Sequence, residues 1–227
     1  MSVAIVSAAL SSTSAMRLVT WLSPAFPTGA FAYSHGLEWA VEQRDIIDAP
    51  SLQRWLTDVL RLGSGRCDAI LLRLAHRAWA DAAALADIAA FAACANATRE
   101  RQVETLNQGA AFLRAAAAWA RGIVPEGTRT AYPVAVGALA GHAGIAEETA
   151  AAGYLQALTA NFISAAVRLV PLGQSAGLAV LAALEGTLLA VLDETKTATL
   201  DDFGGACFRS DIAAMRHETQ YTRLFRT

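Results

Sequence analysis

The chain has 227 residues, 55% of them hydrophobic and 17% charged, with a formal net charge of -2. That apolar fraction is ample for one core, and the near-neutral balance argues against nucleic acid or another polyanion as a partner. Cys67, Cys94 and Cys207, odd in number and widely spaced, exclude a disulfide framework and point to reduced thiols in apolar surroundings and a cytoplasmic setting.

The opening run MSVAIVSAALSSTSAM carries no basic residue ahead of its apolar part, so residues 1–21 read as an N-terminal segment rather than a secretion signal. Apolar residues then recur at helical spacing, and no stretch alternates with period two. This predicts an all-α chain: one single-domain bundle of many short to medium helices over residues 1–227, with no sheet. Pro24 and Pro27 fix φ, and Thr28 can cap, so a rigid elbow is expected to feed a helix from Gly29 to Arg44. Pro50 and Ser51 open the next helix, through Leu62. After Gly63-Ser64-Gly65 a helix resumes from Cys67 to Ala80, with Leu71, Leu74 and Ala78 on one face.

Asp81 to Ala95 is an Ala-rich helix, and Thr98 caps or joins another that carries Glu100, Glu104 and Gly109 towards Gly122. Ile123 to Thr130 is the clearest long loop. Pro133 suits the first turn of a helix that stops around Gly141 to Gly144. A long helix covers Glu147 to Val170, Pro171 and Gly173 break it, and a further apolar helix runs to Asp193. Within that helix Leu178 to Leu192 is almost wholly apolar. It is shorter than a bilayer requires and has Glu185 and Gly186 at its middle, so it reads as a buried helix and not a membrane span. Thr195 to Gly205 looks poorly ordered, Ser210 can cap a last helix to about Gln220, and YTRLFRT is expected to hang free. Leu71, Leu158, Phe162, Leu169, Leu181 and Leu188 are expected in the core.

Chemical motifs are sparse. No glycine pair is followed by the Lys-Ser/Thr of a phosphate-binding loop, so GTP hydrolysis by the chain itself is not expected. On one helix Ser34 and His35 would diverge and make a poor nucleophile and base. His35, His76, His142 and His217 lack a second His or Cys at ligand spacing, so no metal site is signalled. Glu38 with Glu42, and Glu100 with Glu104, lie one turn apart and read as solvated faces with Arg44, Arg99 and Arg101 nearby. Arg168 stands in a hydrophobic run just before a break and needs carbonyl or carboxylate partners, as a structural clamp or a partner contact. Tyr221, Leu224 and Phe225 among Arg216, Arg223 and Arg226 fit either a tail folded back on its own domain or a docking arm.

Three separated stretches carry a family likeness. Leu22 to Glu38 reads LSPAFPTGAFAYSHGLE, Arg168 to Gln174 reads RLVPLGQ, and Asp211 to Phe225 reads DIAAMRHETQYTRLF. In order and separation they resemble the signatures of the UreF family of urease accessory proteins. The resemblance implies a non-enzymatic helical scaffold and nickel-insertion chaperone that dimerises and binds UreD (also called UreH). It also implies recruitment of the GTPase UreG to the urease apoprotein, with nickel and GTP belonging to that assembly and no intrinsic cofactor. An alternative within the same resemblance is a GTPase-activating regulator that supplies an arginine or glutamate to UreG in trans. Carried over by motif, the expected partner-binding residues are Tyr33, Ser34, His35, Glu38, Arg168, Gln174, Met215, Arg216, His217, Glu218, Tyr221, Arg223, Leu224 and Phe225. Pro24, Pro27, Gly29, Gly36, Pro171 and Gly173 are expected to shape the backbone, and residues from about 204 to 227 to form the docking arm. Thr28 stands where the family usually has Ile or Val, and His35 where Gln is common, which leaves open a metal-related role at His35.

Overall fold

The computed structural model describes residues 11–226, and among them it contains helices and turns but no strand. The first ten residues of the expected N-terminal segment, and Thr227, lie outside the described residues. Eleven α-helices follow in order: α1 Ser12–Trp21, α2 Leu37–Glu42, α3 Ala49–Leu62, α4 Ser64–Arg77, α5 Ala82–Cys94, α6 Arg99–Ala116, α7 Tyr132–His142, α8 Glu147–Leu169, α9 Gln174–Ala183, α10 Glu185–Thr195 and α11 Phe208–His217.

Local chemistry sets most of these boundaries. The Asp48 carboxylate accepts from the Ser51 amide at 2.8 Å while the Ser51 hydroxyl accepts from the Asp48 amide at 3.0 Å, a reciprocal cap with Pro50 in the first turn of α3. Asp81 caps α5 through the amides of Ala83 and Ala84, and Thr98 caps α6 through that of Arg101. Pro133 sits in the first turn of α7. Small residues then let helices close in on one another. A Cβ on Gly137 would lie 2.2 Å from the Leu72 carbonyl oxygen, and one on Gly109 2.0 Å from that of Thr130. Glycine at these two positions therefore lets α7 lie directly on the α4 backbone and lets α6 pass against the strand-like lead into α7.

The main core gathers Leu56, Leu72, Phe112, Val136, Leu139, Leu155 and Phe162, and a smaller cluster under α5 joins Leu71, Leu85, Ile88 and Val134. Of the expected core residues Leu71, Leu158, Phe162 and Leu188 are buried, whereas Leu169 and Leu181 are half-buried because α8 and α9 leave their outer flanks open. Arg73, only 1% exposed, was invisible to pattern reading. Its guanidinium donates to Glu147 at 2.8 Å, Glu148 at 2.6 Å, the Leu192 carbonyl at 3.0 Å and the Thr195 hydroxyl at 3.2 Å, tying α4 to α8 and α10. Burial works against the charge on Glu147, but hydrogen bonds from Arg77 and Arg73 outweigh it and hold its carboxyl below the usual range.

Several expected boundaries move. The helix expected from Gly29 to Arg44 is a short 3-10 turn at Ala30–Ala32, a break, and then α2, because Gly29, His35 and Gly36 all take positive φ. α6 stops at Ala116 rather than near Gly122. The apolar stretch Gln174–Thr195 has the length and composition to cross a membrane, but it bends at Leu184, and 33% of its most apolar window is buried, by packing of Val180, Leu184, Leu188 and Val191 into the core. Leu178 and Leu189 face outward, so the expected buried helix is buried on one side only. Thr195 to Gly205 is ordered: Thr199 and Asp202 cap each other around a 3-10 turn, and Arg66 donates to the Asp202 carbonyl at 2.7 Å. The last helix begins at Phe208, two residues before Ser210. Cys207 is buried, but Cys67 is only partly so and Cys94 is exposed, contrary to the expectation of three core thiols.

Arg73→Ala should lower stability by about 3 kcal/mol through the loss of a buried, fully bonded guanidinium. A thermal melt should fall by roughly 6–12 °C for a chain of this size. Arg73→Lys should recover less than half of that loss, since an ammonium cannot span four acceptors on two elements.

Candidate functional site

The first signature folds as a sequence of tight turns. Phe26 is buried against Phe112 at 5.4 Å between ring centres, which anchors the elbow while Pro24 and Pro27 stay on the surface. Gly29 has φ 76° with open space around it, a requirement of conformation alone. Gly36 has φ 77° and also lies beneath α11, where a Cβ would come within 2.6 Å of the Ala214 amide nitrogen. Both the turn and the close approach of α11 exclude a side chain there. The turn swings Tyr33, Ser34, His35 and Glu38 into the protein, and all four are buried.

Glu38 is the centre of the resulting junction. One of its carboxylate oxygens accepts the Leu224 amide at 2.7 Å, and the other accepts the Phe225 amide at 3.0 Å and faces His217 Nε2 at 3.1 Å. On the opposite side of that ring, His217 Nδ1 lies 2.8 Å from Glu100, which also receives Arg223 at 3.2 Å. His217 is 0% exposed. Both nitrogens of the ring face carboxylate oxygens, so His217 bridges Glu38 and Glu100. Burial pushes the Glu100 carboxyl up, against the opposing pull of His217 and Arg223. Glu38 and Glu100 flank opposite nitrogens of one ring and cannot converge on a single ion. Among the described residues no group of three or more His, Cys, Asp or Glu has metal-holding geometry.

A second buried cluster adjoins the first. His35 lies over Phe162, its Nδ1 receives Arg101, and its Nε2 sits 3.2 Å from Glu104. Glu104 also takes Arg101 at 2.8 Å and the Gln108 amide at 2.8 Å. A neutral ring protonated on Nε2 satisfies both contacts, and burial followed by the Arg101 charge holds the His35 pKa well below its ordinary value. Nearby, the Tyr154 hydroxyl donates to Asp68 at 2.7 Å, and burial raises the Asp68 carboxyl. Asp68, Arg101, Cys67 and Asp211 line a cavity of about 330 Å³, and burial lifts the Cys67 thiol to about 11, so it is not a nucleophile at neutral pH.

Glu38, Glu100 and Glu104 therefore correct the reading of solvated faces, while Glu42 is exposed as that reading requires. The spacing of one helical turn was read rightly, but nothing in it shows that α11 and the tail cover Glu38 and Glu100, or that His35 meets Glu104. The tail also departs from the expectation of a free end. Phe225 is buried, Arg168 stacks over its ring at 4.4 Å and donates to the Phe31 carbonyl at 2.9 Å, and the Arg226 amide donates to Ala32 at 2.8 Å. Arg168 is thus a clamp between the first and third signatures. Of the remaining expected partner-binding residues, Met215, Arg216, Tyr221, Arg223 and Leu224 are exposed on α11 and the tail, and Glu218 is half-buried beside them. Gln174 is exposed at the start of α9, after the Pro171 and Gly173 break.

The UreF family model matches residues 46–185. The chain belongs to the UreF family. A protein described as urease accessory protein UreF from Rhodopseudomonas palustris (strain BisB18) is 49% identical over 219 residues, covering 93% of this chain and 91% of its own length. One of the same description from Bradyrhizobium sp. (strain ORS 278) is 51% identical over 218 residues, with 93% and 91% coverage. A third, from Mesorhizobium japonicum, is 48% identical over 218 residues and covers 96% and 98%. The family model stops short of Glu38 at one end and of α11 and the tail at the other.

Glu38→Ala should not be silent, as a surface carboxylate would be. It should lower stability by about 2–3 kcal/mol, because two tail amides and His217 lose their acceptor. Amide exchange at Leu224 and Phe225 should accelerate more than elsewhere, while α7 keeps its protection. A second expectation concerns pH. The unfolded chain takes up a proton on His35 below its ordinary pKa of 6.5, which the folded state refuses, so stability is lost as pH falls, with a slope approaching about 1.4 kcal/mol per pH unit. His35→Gln removes that component. Denaturant titrations from pH 7 to 5 should show the variant gaining on the parent as pH falls, and parallel curves would contradict the assignment.

Proposed function

We propose that this chain is a non-catalytic scaffold for urease maturation, which binds UreD (UreH) through α11 and the tail and recruits UreG to the urease apoprotein. Nickel and GTP belong to the assembled partners, the chain contributes no cofactor of its own, and the setting is the cytoplasm. The observation that carries this reading is the outer face of α11. Phe208, Ile212 and Met215 recur at helical spacing and are exposed, and Tyr221 and Leu224 extend the same apolar surface along the tail. The buried junction beneath holds that face in place by Glu38, His217 and Phe225, so the surface is presented preformed and little ordering entropy is lost on docking. A homodimer is part of the proposal, with the outward Leu178 and Leu189 on α9 and α10 as apolar surface for a second copy.

Supply of a glutamate or arginine to UreG in trans is the weaker reading. Glu38 is enclosed and its oxygens are occupied by tail amides and His217, and Arg168 is held by Phe31 and Phe225. Neither can reach a nucleotide on another protein without dismantling the junction.

Truncation before Ser210 is a poor test, since it removes buried Ala213, Ala214, His217 and Phe225. The double variant Ile212→Asp with Met215→Asp changes only exposed positions. It should melt within about 2 °C of the parent, because surface changes have small effects. Its capture of UreD in co-purification should fall by at least about 100-fold, the loss expected of two central apolar anchors. Undiminished capture by the folded variant would reject α11 as the docking face.

A further inference from the structure

A second surface lies on the other side of the tail. Thr28, Gly29, Phe31, Ala32 and Tyr33 form one wall of a cleft of about 420 Å³, Asn107, Ala110, Ala111 and Arg114 on α6 form the other, and Arg226 closes the end. No Asp or Glu lines it. The side chains of Arg114 and Arg226 make no hydrogen bond or ion pair among the described residues, and both are exposed. Tyr33 is only 6% exposed, yet its hydroxyl likewise has no partner among the described residues. The hydroxyl is not among the enclosed unpartnered polar atoms of the described residues, which are Trp21 Nε1 and Gln220 Oε1, so it reaches solvent at the cleft that Tyr33 lines.

We infer that this cleft binds an acidic peptide segment of a protein partner, with side-chain carboxylates received by the guanidinium groups of Arg114 and Arg226 and by the Tyr33 hydroxyl. Two guanidinium groups in a chain of net charge -2 form a local cationic spot, and guanidinium forks match carboxylates bidentately. The Asn107 amide beside them can pair with a peptide group, and Ala110, Ala111 and the 71%-exposed Phe31 ring offer an apolar shelf for the intervening chain. An open cleft whose donors come from separate elements suits a segment better than a compact phosphate, which needs donors converging on one point. The wall formed by Thr28 to Tyr33 and the Arg226 end are fixed to one another, since the Arg226 amide is bonded to Ala32, and Arg168 holds the Phe31 carbonyl. The cleft exists only with the tail docked. It is separate from the α11 face and stands whether or not that face binds UreD.

Hexaglutamate is the probe, titrated into the full chain by calorimetry, with hexaglutamine and pyrophosphate in parallel. Saturable binding of hexaglutamate alone is expected, weakening with added salt. Arg114→Glu and Arg226→Glu should each weaken it at least about tenfold without shifting the melting temperature. Tyr33→Phe should weaken it by roughly threefold at unchanged stability, an effect that a purely structural tyrosine would not produce. Absence of hexaglutamate binding, equal binding of hexaglutamine, preference for pyrophosphate, or indifference to the charge reversals would each overturn the proposal.

Discussion

The carboxylate of Glu38 joins the two ends of this protein. It sits in the turn of α2 immediately after Gly36 and accepts backbone amides from Leu224 and Phe225 together with a contact from His217, about 180 residues further on. A carboxylate that accepts backbone amides in a buried setting fixes the main chain as well as the side chains, because amides cannot rotate away as side chains do. The tail is consequently part of the folded unit. Both surfaces assigned to partners, the α11 face and the cationic cleft, inherit their shape from that bond set.

Such a junction is tolerable only because its charges balance locally. Glu38 and Glu100 share His217, Arg223 adds a cation at Glu100, and Arg101 answers Glu104 beside a neutral His35. Removing one member leaves the others buried without compensation, which is more damaging than the pair is stabilising. The same logic governs Arg73 at the opposite side of α4, where Glu147 and Glu148 from the first turn of α8 meet a guanidinium enclosed by α10. Polar networks at both flanks thus specify which helices may pack together, while small residues such as Gly36 and Gly137 determine how closely they do so.

The all-α class and most helix starts were legible in the sequence because their causes are local: Asp48 with Ser51, Asp81, Thr98 and Pro133 act within one turn of themselves. The break at residues 33–36 was not, since the signature contains only one glycine there and His35 takes a positive φ that few non-glycine residues adopt. Glu100 and Glu104 looked solvated because an acid pair one turn apart is the common surface pattern of a helix. The return of α11 more than 100 positions away covers Glu100, and the signature turn that brings in His35 covers Glu104. Tyr221, Leu224 and Phe225 were seen as unusual for a tail, but whether they turn in or out depends on the amides beside them, which no side-chain pattern encodes. The resolution is divided: Phe225 turns in, and Tyr221 and Leu224 turn out.

The central claim is that Glu38 and His217 act as one unit joining the two signatures. A double-mutant cycle with Glu38→Ala, His217→Ala and the pair, measured by chemical denaturation at neutral pH, tests it most directly. The account predicts that the two single losses overlap, with a coupling of about 1–3 kcal/mol, as residues in one buried network show. Additivity within about 0.5 kcal/mol, the behaviour of independent sites, would contradict it.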